Sequence, residues 1–537
     1  MSMKKWLSAV LTGTMILGSA AITTVYADEE NYTENGIYYR ENVTRAISGF
    51  DQQSHPNCTY FCANGLPIII SDPTDAAMGA KITWTYEGNE YSKEISKNSV
   101  VCGGGWDIPV ASTSVIMDGG DIEWGVFGGG VKDTAIVTDS VNIVIKDGKL
   151  NDGVVGGGIR GAVGTAETPA SINVTIGRTG EENENKPVIA QNIIGGGFYG
   201  NVYGDIELTI NNVTNNYNGI YSTNYDCASG VCGEHYGNTK VVMNGGRIDG
   251  ILAAGTMFGG AVYGNTEIIM NGGCVDDLAG GSAGYMRSMM GGKIVGNTKV
   301  IVNGGTVLET VGGGSGYYGG EIEGNTEVII NGGIIGSDKE LSGHTYGIYG
   351  GSVSGAPVSG MAKVSVNNGT IKTSVVSGQG VYVNETANGS VGSSNVDISE
   401  ESGFTPTVKV NGEYSTKLLA EAVAAAQDGD TITLLTDVAI LPQGEGENLV
   451  PQITIGKSLT LDLAGHTIGY DKSVASNNLS YYPVFFAVPA GVDVTITGNG
   501  TIDCEAGNNG AYGINVNGGN LTIENGTFYG GMTAVQV

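Results

Sequence analysis

GNTKVVMNGG begins at Gly237, and its near copies GNTEIIMNGG, GNTKVIVNGG and GNTEVIINGG begin at Gly264, Gly296 and Gly324. The starts of these phrases lie 27, 32 and 28 residues apart. A phrase that recurs at such a period is typical of proteins built from stacked structural repeats.

Each phrase has the composition of a strand followed by a turn. Thr239 to Met243 is rich in β-branched and apolar residues, which favour a strand. Asn244-Gly245-Gly246 follows, and Asn and Gly tolerate the left-handed backbone of a tight turn. No helical pattern lies between the phrases. The pattern therefore predicts an all-β fold, a parallel β-helix (solenoid) in which each strand pairs with its equivalent one repeat further along.

The charged position inside the phrase alternates in sign. If the repeats stack, opposite charges become neighbours along a ladder with a spacing of about 4.8 Å, which is favourable. The predicted ladder consists of Lys240, Glu267, Lys299 and Glu327. Side-chain alternation in a strand then places Val241 and Met243 inward, and Lys240 and Val242 outward.

The last apolar residue before each turn marks the same position outside the four phrases as well. Successive anchors are 27 to 36 residues apart, and they predict nine repeats in a Gly-rich domain, residues 111–383. The anchors are Met117, Ile145, Ile176, Ile210, Met243, Met270, Val302, Ile330 and Val366.

The N-terminus predicts export. Residues 1–27 combine two lysines, an apolar run and a small-residue cleavage pattern, as in a secretory signal peptide. Residues 28–110 are irregular and predict an N-terminal β cap that covers the open end of the stack. The expected location is secreted or at a bacterial cell surface.

The charge restricts the partners. The chain carries a net charge of −29, which becomes −31 without residues 1–27. This balance argues against nucleic acid and anionic lipid surfaces, and against polyuronic acids unless cations bridge. No cofactor is expected, because no calcium-binding nonapeptide or EF-hand loop is present, although calcium stabilisation stays open. No segment of the mature chain is long and apolar enough for a membrane span, and the oligomeric state is left open.

Cysteines and tyrosines supply two further candidate groups. Cys58 with Cys62 and Cys227 with Cys232 are candidate disulfides in an exported protein; the alternative is small buried side chains. Tyrosines interleave with the Gly-rich segments, and they could form a flat platform for sugar rings or stack structurally between repeats. The candidates for carbohydrate binding are Tyr199, Tyr203, Tyr263, Tyr285, Tyr317 and Tyr318.

No catalytic arrangement stands out. Two carboxylate pairs lie beside Gly-rich turns, which favours an interpretation as solvated edges: Asp121/Glu123 and Glu321/Glu323. Asp276 and Asp277 are adjacent, so their side chains point to opposite sides if they lie on a strand. The four histidines are far apart in sequence, and neither a nucleophile motif nor a metal-ligand spacing is present.

The C-terminal part begins differently. Residues 384–406 are polar and predict a linker. After it, Leu418, Leu419, Ala422, Val423 and Ala426 lie at helical spacing, with Ser415 as a capping residue and Gly429 as the stop. Short strands follow.

A family resemblance covers residues 408 to about 503. YSTKLLAEAVAAAQDGDTITLLTDV, SLTLDLAGHTI and VTITGNGTID resemble the opening of right-handed parallel β-helix proteins of the pectin-lyase-like superfamily. The resemblance implies a short capping α-helix followed by the first coils of a second β-helix, residues 407–537, which we expect to be incomplete. It also implies structural roles for His466 and Asp503. The Gly-rich domain resembles bacterial adhesin-like β-helix repeats, so the full expectation is two tandem right-handed β-helical regions.

Three functions are compatible with this reading. The first is a non-enzymatic, adhesin-like surface protein that binds or displays towards glycans or neighbouring cells. The second is a polysaccharide hydrolase or lyase, or a carbohydrate-binding β-helix. The third is a structural component comparable to an S-layer protein.

Overall fold

The computed structural model describes most of the chain. The described residues are 33–43, 58–180, 186–215, 219–221, 233–257, 259–284, 291–336, 347–353, 356–372, 375–376, 391–399, 407–411, 413–415, 417–440, 449–470, 482–504, 512–530 and 533–537. Internal contacts divide the protein into two units, residues 1–403 and 404–537.

The elements of the first unit are all strands among the described residues. Its N-terminal segment contains β1 (Thr33–Glu34), β2 (Ile37–Val43), β3 (Cys58–Cys62), β4 (Ile68–Ser71), β5 (Ala80–Tyr86), β6 (Asn89–Ile95) and β7 (Ser99–Cys102). The remainder contains β8 (Val110–Ile122), β9 (Val126–Phe127), β10 (Val137–Leu150), β11 (Gly153–Val155), β12 (Ser171–Ile176), β13 (Val188–Ile189), β14 (Asn192–Ile194), β15 (Val202–Tyr203), β16 (Ile206–Ile210), β17 (Thr214–Asn215), β18 (Gly219–Tyr221), β19 (His235–Tyr236), β20 (Thr239–Met243), β21 (Arg247–Ala253), β22 (Gly259–Val262), β23 (Thr266–Met270), β24 (Cys274–Ala279), β25 (Gly291–Ile294), β26 (Thr298–Val302), β27 (Thr306–Gly312), β28 (Thr326–Ile330), β29 (Ile334–Ile335), β30 (Gly347–Tyr349), β31 (Val358–Val366), β32 (Thr370–Ile371), β33 (Val375–Val376) and β34 (Val391–Ile398).

The second unit contains the one helix found among the described residues. Its elements are β35 (Val408–Val410), β36 (Glu413–Ser415), α1 (Leu419–Ala425), β37 (Thr431–Leu434), β38 (Val438–Ile440), β39 (Leu449–Thr454), β40 (Leu459–Asp462), β41 (Thr467–Tyr470), β42 (Tyr482–Pro489), β43 (Asp493–Thr497), β44 (Thr501–Cys504), β45 (Tyr512–Asn517), β46 (Asn520–Ile523), β47 (Thr527–Gly530) and β48 (Thr533–Gln536).

One parallel ladder runs through the whole repeat region, and we call it the anchor ladder. It joins β8, β10, β12, β16, β20, β23, β26, β28, β31 and β34 in that order. The register places all nine predicted anchors opposite one another, from Met117 to Val366, and each of them is buried. The all-β, parallel arrangement predicted from the phrases is therefore confirmed for these strands.

Further parallel ladders form the other sides of the repeats. One joins β13, β17, β21, β24, β27, β29 and β32, and another joins β7, β9, β11, β14, β18 and β21. A third joins β15, β19, β22 and β25. Each repeat thus contributes several short strands, and each strand pairs with its equivalent in the neighbouring repeats.

Part of the predicted linker is a strand. Residues 391–398 form β34, which pairs in parallel with β31 so that Ile398 lies opposite the anchor Val366. The polar composition of 384–406 concealed this pairing, because backbone hydrogen bonds to β31 satisfy the strand whatever its side chains are. The anchor ladder therefore extends one repeat beyond the nine predicted.

The N-terminal segment mixes two kinds of pairing. β2 and β3 are antiparallel, as are β4, β5 and β6, whereas β3 pairs in parallel with β7 and β4 pairs in parallel with β8. Ile70 of β4 lies opposite Met117, so this segment starts the anchor column. Trp84 and Trp106 are buried here, with 7% and 5% of their surface exposed.

Glycines in the phrase are required at two positions. A Cβ on Gly296 would lie 2.3 Å from the carbonyl oxygen of Gly264 in the preceding repeat, so the first glycine allows close stacking. The last glycine has positive φ, for example 85° at Gly305 and 87° at Gly333, which side chains rarely tolerate. Glycine is thus selected by stacking at one end of the strand and by the turn at the other.

The second unit has three parallel ladders and its own core. The ladders are β37–β40–β43–β46, β38–β41–β44–β47 and β39–β42–β45–β48. Leu419 and Val423 of α1 lie in one buried cluster with Phe485, Phe486 and Ile496. α1 begins and ends within the residues predicted to be helical, and Glu421 accepts a hydrogen bond from the Leu418 amide at 3.0 Å.

Candidate binding face

Alternate residues of each phrase form parallel columns on the outside of the repeats. Tyr236, Asn238, Lys240 and Asn244 are exposed and Val242 is half-buried. The intervening residues Thr239, Val241 and Met243 are buried. Because the strands are in register, each exposed residue has an equivalent directly above and below it. We call these columns together the outer face.

The charge column is longer than the four predicted residues. The register pairs Lys240 with Glu267, Glu267 with Lys299 and Lys299 with Glu327, and adds one residue at each end. We call the set the charge ladder: Glu207, Lys240, Glu267, Lys299, Glu327 and Lys363. Its signs alternate throughout.

Ion pairs connect members of the charge ladder. Lys240 lies 4.0 Å from Glu207, and Glu327 lies 3.3 Å from Lys299 and 3.1 Å from Lys363. Partial burial alone would raise the pKa of Glu327, but the hydrogen bonds from Lys363 and Lys299 outweigh it and lower the pKa. Exposed pairs of this kind contribute little individually, so the ladder mainly selects the register.

Two asparagine ladders flank the charge ladder. In one, the Oδ1 of Asn238 accepts hydrogen bonds from the backbone and side-chain amides of Asn265, at 3.0 and 3.2 Å, and the pattern repeats. Its members are Asn238, Asn265, Asn297 and Asn325. In the other, each Nδ2 donates to the preceding Oδ1 at 2.8 or 2.9 Å. Its members are Asn211, Asn244, Asn271, Asn303, Asn331 and Asn367.

A tyrosine stack adjoins these ladders. Tyr236 lies between Tyr203 and Tyr263, with ring centroids 4.8 and 4.7 Å apart and interplanar angles of 4° and 3°. Tyr236 and Tyr263 are 39% and 44% exposed. Since both faces of Tyr236 are covered by its neighbours, this ring offers its edge and hydroxyl to solvent. Of the two arrangements that the sequence left open, these three rings show structural stacking between repeats and not a flat platform.

Acceptor groups lie next to the stack. The Tyr236 hydroxyl donates a hydrogen bond to Glu234. This hydrogen bond is the larger cause of the raised pKa of Tyr236, and burial is the second. The Tyr263 hydroxyl lies 3.5 Å from the same carboxylate. Sequence reasoning missed Tyr236, although a signal was present: a tyrosine precedes the first glycine of the phrase in the repeats of Tyr203, Tyr236 and Tyr263.

The other predicted tyrosines do not join the stack. Tyr199 packs edge-on against Phe198, with centroids 4.7 Å apart. Tyr317 and Tyr318 lie in a turn, and their carbonyl oxygens accept hydrogen bonds from Gly284 and Gly291. Tyr285 lies outside the described residues. Among the five candidates that the structure describes, Tyr203 and Tyr263 are brought together, both against Tyr236.

His235 precedes Tyr236 on β19 and is fully buried. Its Nε2 lies 2.8 Å from the Gly204 carbonyl oxygen and its Nδ1 lies 3.2 Å from the Thr239 hydroxyl. The carbonyl requires a proton on Nε2, so Nδ1 accepts from Thr239. Burial lowers the pKa of His235 to about 4, although the hydrogen bond to Gly204 opposes this. The imidazole is therefore neutral at physiological pH and braces the strand that carries Tyr236.

A group of carboxylates lies on β21, β24 and β27, away from the outer face. Arg247 donates to Asp276 at 2.9 Å and also pairs with Asp249. Asp277 is only 8% exposed, and its Oδ1 has no hydrogen-bond partner among the described residues. Burial and then the nearby Glu309 carboxylate raise the pKa of Asp277 to about 8. Asp277 is therefore protonated at neutral pH, which the sequence did not indicate.

The other carboxylate pairs lie at solvated edges, as predicted. Asp121 forms an ion pair with Lys97 at 2.8 Å, and Glu323 forms one with Lys293 at 2.7 Å. Asp121 and Lys97 also line a polar cleft of about 380 Å³. Its other charged lining residues are Asp72, Asp147, Lys149 and Lys186, so acidic and basic groups balance.

Of the two alternatives for Cys58 and Cys62, the structure shows small buried side chains and not a disulfide between them. The two residues stand at opposite ends of the extended strand β3. Four residues of strand span about 13 Å, whereas the Cα atoms of a disulfide lie within about 7 Å. Cys227 and Cys232 lie outside the described residues.

The described residues contain neither a metal-binding cluster nor a membrane-spanning helix. Across the described parts of the chain, no three His, Cys, Asp or Glu side chains converge in a way that could hold a metal ion. No described helix is both long and apolar enough to cross a bilayer. Compared with protein-family models, with curated proteins and with solved structures, the chain gives no match.

Proposed function

We propose that both units are right-handed parallel β-helices of an exported bacterial surface protein. The support is the in-register parallel pairing of successive repeats in the first unit and the three parallel ladders of the second. The helix α1 at the start of the second unit fits the capping role that the pectin-lyase-like resemblance implies.

The protein's function in this proposal is to bind glycans through the outer face of the first unit, without catalysis. The observation that carries the proposal is that the same outward residue types recur in register over successive repeats. Buried packing explains the inward columns, but it does not require tyrosine, asparagine and alternating charge on the outside. A polymer with its own repeat is the ligand class that such a surface suits.

The chemistry of the outer face favours a neutral polysaccharide. Tyrosine hydroxyls and asparagine amides donate and accept hydrogen bonds, as sugar hydroxyls do. The charge ladder alternates in sign, so it offers no net attraction to a polyanion, and the chain as a whole is acidic. Aromatic rings next to such polar groups are common in sugar-binding surfaces because each ring is apolar and its hydroxyl is polar.

A glycan array tests this proposal. The full chain is compared with the double variant Tyr236→Ala/Tyr263→Ala, and with Tyr529→Ala as the control, because Tyr529 is 53% exposed but belongs to the second unit. We expect selective binding of neutral polysaccharides by the wild type and the control, and at least about tenfold weaker binding by the double variant.

Two results of the glycan array would contradict binding through the outer face. If a folded wild-type chain binds no glycan, or if the double variant binds as well as the wild type, the outer face is not the binding surface. Ordered assemblies of the chain without glycan binding would instead support the structural, S-layer-like function.

A second candidate, a carbohydrate-active enzyme, rests on the buried acid Asp277. A carboxylic acid that stays protonated at neutral pH is what a general acid requires, and Glu309 provides a second carboxylate nearby. Release of reducing ends from a polysaccharide panel tests this function. Activity that Asp277→Asn and Glu309→Gln abolish while folding is retained would establish it, and no release by the wild type would exclude it for that panel.

A further inference from the structure

Three cysteines lie together at the start of the first unit, on β3 and β7. Cys58, Cys62 and Cys102 belong to one buried cluster, in which their exposed fractions are 2%, 0% and 0%. Tyr60 and Trp106 pack in the same cluster, with ring centroids 5.1 Å apart. The group is therefore shielded from solvent in the folded protein.

The register decides which two thiols can bond. β3 and β7 are parallel, and Cys62 lies directly opposite Cys102. Adjacent strands are about 4.8 Å apart, a distance within the roughly 4.4–6.8 Å found between the Cα atoms of a disulfide. Both are reduced thiols in the structure, so the bond would form by oxidation of this pair. Cys58, at the other end of β3, has no cysteine opposite it.

We propose that Cys62 and Cys102 form a structural disulfide that ties β3 to β7. The bond joins positions forty residues apart and encloses the β4–β6 segment. It would therefore fix the strand pairing on which the N-terminal segment depends. The export proposed above matters only for where oxidation takes place, because the geometry of the pair does not depend on the protein's function.

The chemistry is two successive thiol–disulfide exchanges with a low-molecular-weight or protein disulfide as the oxidant. The thiolate of one cysteine attacks the oxidant, its S–S bond breaks, and one thiol leaves. The thiolate of the second cysteine then attacks the mixed disulfide and releases the second thiol. Two cysteine thiols are oxidised, one disulfide is reduced to two thiols, and the two cysteine protons end on the released thiols.

Burial also determines when the bond can form. Burial and then the contact with Cys102 raise the pKa of Cys62, which suppresses the reactive thiolate in the folded state. Oxidation should therefore accompany folding, and a chain that has already folded in the reduced form should oxidise much more slowly.

Peptide mapping tests the pairing. The full chain is refolded with oxidised glutathione, its free thiols are alkylated in denaturant, and the protein is digested with trypsin and chymotrypsin. Chymotrypsin cleaves after Tyr60 and Phe61, which separates Cys58 from Cys62. We expect a cross-linked peptide pair containing Cys62 and Cys102, lighter by two hydrogen atoms than the reduced pair, and alkylated Cys58.

Variants provide the second readout. Cys58→Ser should keep the cross-link and should melt roughly 5 °C lower after reduction by dithiothreitol, as the wild type should. Cys62→Ser should show no change on reduction. Alkylated Cys62 and Cys102 after oxidative refolding, or a bond from either of them to another cysteine, would overturn the proposal. Wild type and Cys58→Ser suffice for this test if Cys62→Ser fails to fold.

Discussion

Among single residues, His235 gives the clearest pH dependence. Its pKa in the folded protein is about 4, below the ordinary value of 6.5, because burial disfavours the imidazolium. Protonation therefore favours the unfolded chain, and the stability that the neutral ring contributes is complete above about pH 6.5 and is lost as the pH falls towards 4. We expect about 3 kcal/mol to be lost over that range.

The measurement is urea unfolding at several pH values between 4 and 7. His235→Gln should show a shallower loss of stability on acidification than the wild type. His466→Gln is the matched control, because the His466 side chain is 35% exposed and lies 3.6 Å from Asp437. Equal slopes for His235→Gln and the wild type would contradict the assignment.

Asp277 should have the opposite pH dependence. Its pKa is raised to about 8 by burial and by Glu309, so the folded state favours the protonated acid. The stability it contributes is complete below the unfolded pKa near 4 and is lost as the pH rises to 8. Asp277→Asn removes the titration, so at pH 8 the variant should be more stable than the wild type by on the order of 5 kcal/mol.

At pH 4 the stabilities of Asp277→Asn and the wild type should nearly coincide. Chemical denaturation at both pH values decides the matter, with Asp121→Asn as a control at a solvated edge. A variant that is less stable than the wild type at pH 8 would show that the Asp277 carboxylate is charged and partnered.

At the scale of elements, the charge ladder should select the register by repulsion more than by attraction. Lys299→Glu would place three carboxylates in consecutive ladder positions with Glu267 and Glu327. We expect about 1 kcal/mol less stability than for Lys299→Gln, which removes the attraction without adding repulsion. Because these groups are partly exposed, about 1 M salt should abolish most of the difference. A difference that salt leaves unchanged would indicate a packing effect.

Close stacking of the repeats makes a second prediction at this scale. A methyl group on Gly296 would lie 2.3 Å from the Gly264 carbonyl oxygen, so the backbone must shift. Gly296→Ala should cost about 2 kcal/mol or more in the free energy of unfolding. Gly456→Ala is the control, because its Cβ would meet no heavy atom within 4 Å, and reduced freedom of the unfolded chain should make it neutral or slightly stabilising. Equal effects of the two substitutions would contradict the stacking.

Strand pairing explains which elements the sequence could predict. Inside the phrase, period-two alternation and a constant anchor determine both the inward face and the register, so Lys240 could be placed opposite Glu267 before the fold was known. β34 was missed because its polar residues carry no such pattern. The Cys62–Cys102 contact was missed because the N-terminal segment has no internal repeat that would reveal the partner of β3.

Side-chain environment was harder to infer than pairing. The sequence offered Tyr203 and Tyr263 either for a sugar platform or for stacking between repeats, and their stacking on Tyr236 depends on how far neighbouring strands align. The burial of Asp277 similarly depends on which side of a bulged strand it occupies, and β21 and β24 are irregular at this point. Alternation rules fail at such a bulge.

For the whole molecule, the division into two units predicts two unfolding transitions. The buried cluster around Phe486 consists only of residues from 404–537, and the anchor ladder lies entirely in the first unit. Phe486→Ala should cost about 3–5 kcal/mol in the second unit, because the ring is fully buried and leaves a cavity. Ile268→Ala, also fully buried, is its counterpart in the first unit.

Differential scanning calorimetry of the full chain distinguishes the two outcomes. If each core stabilises its own unit, Phe486→Ala lowers one transition and leaves the other in place, and Ile268→Ala does the reverse. A single transition that both substitutions lower would mean that the two units unfold cooperatively. The assignment of two separate cores would then be wrong, since damage to one core would be felt throughout the chain.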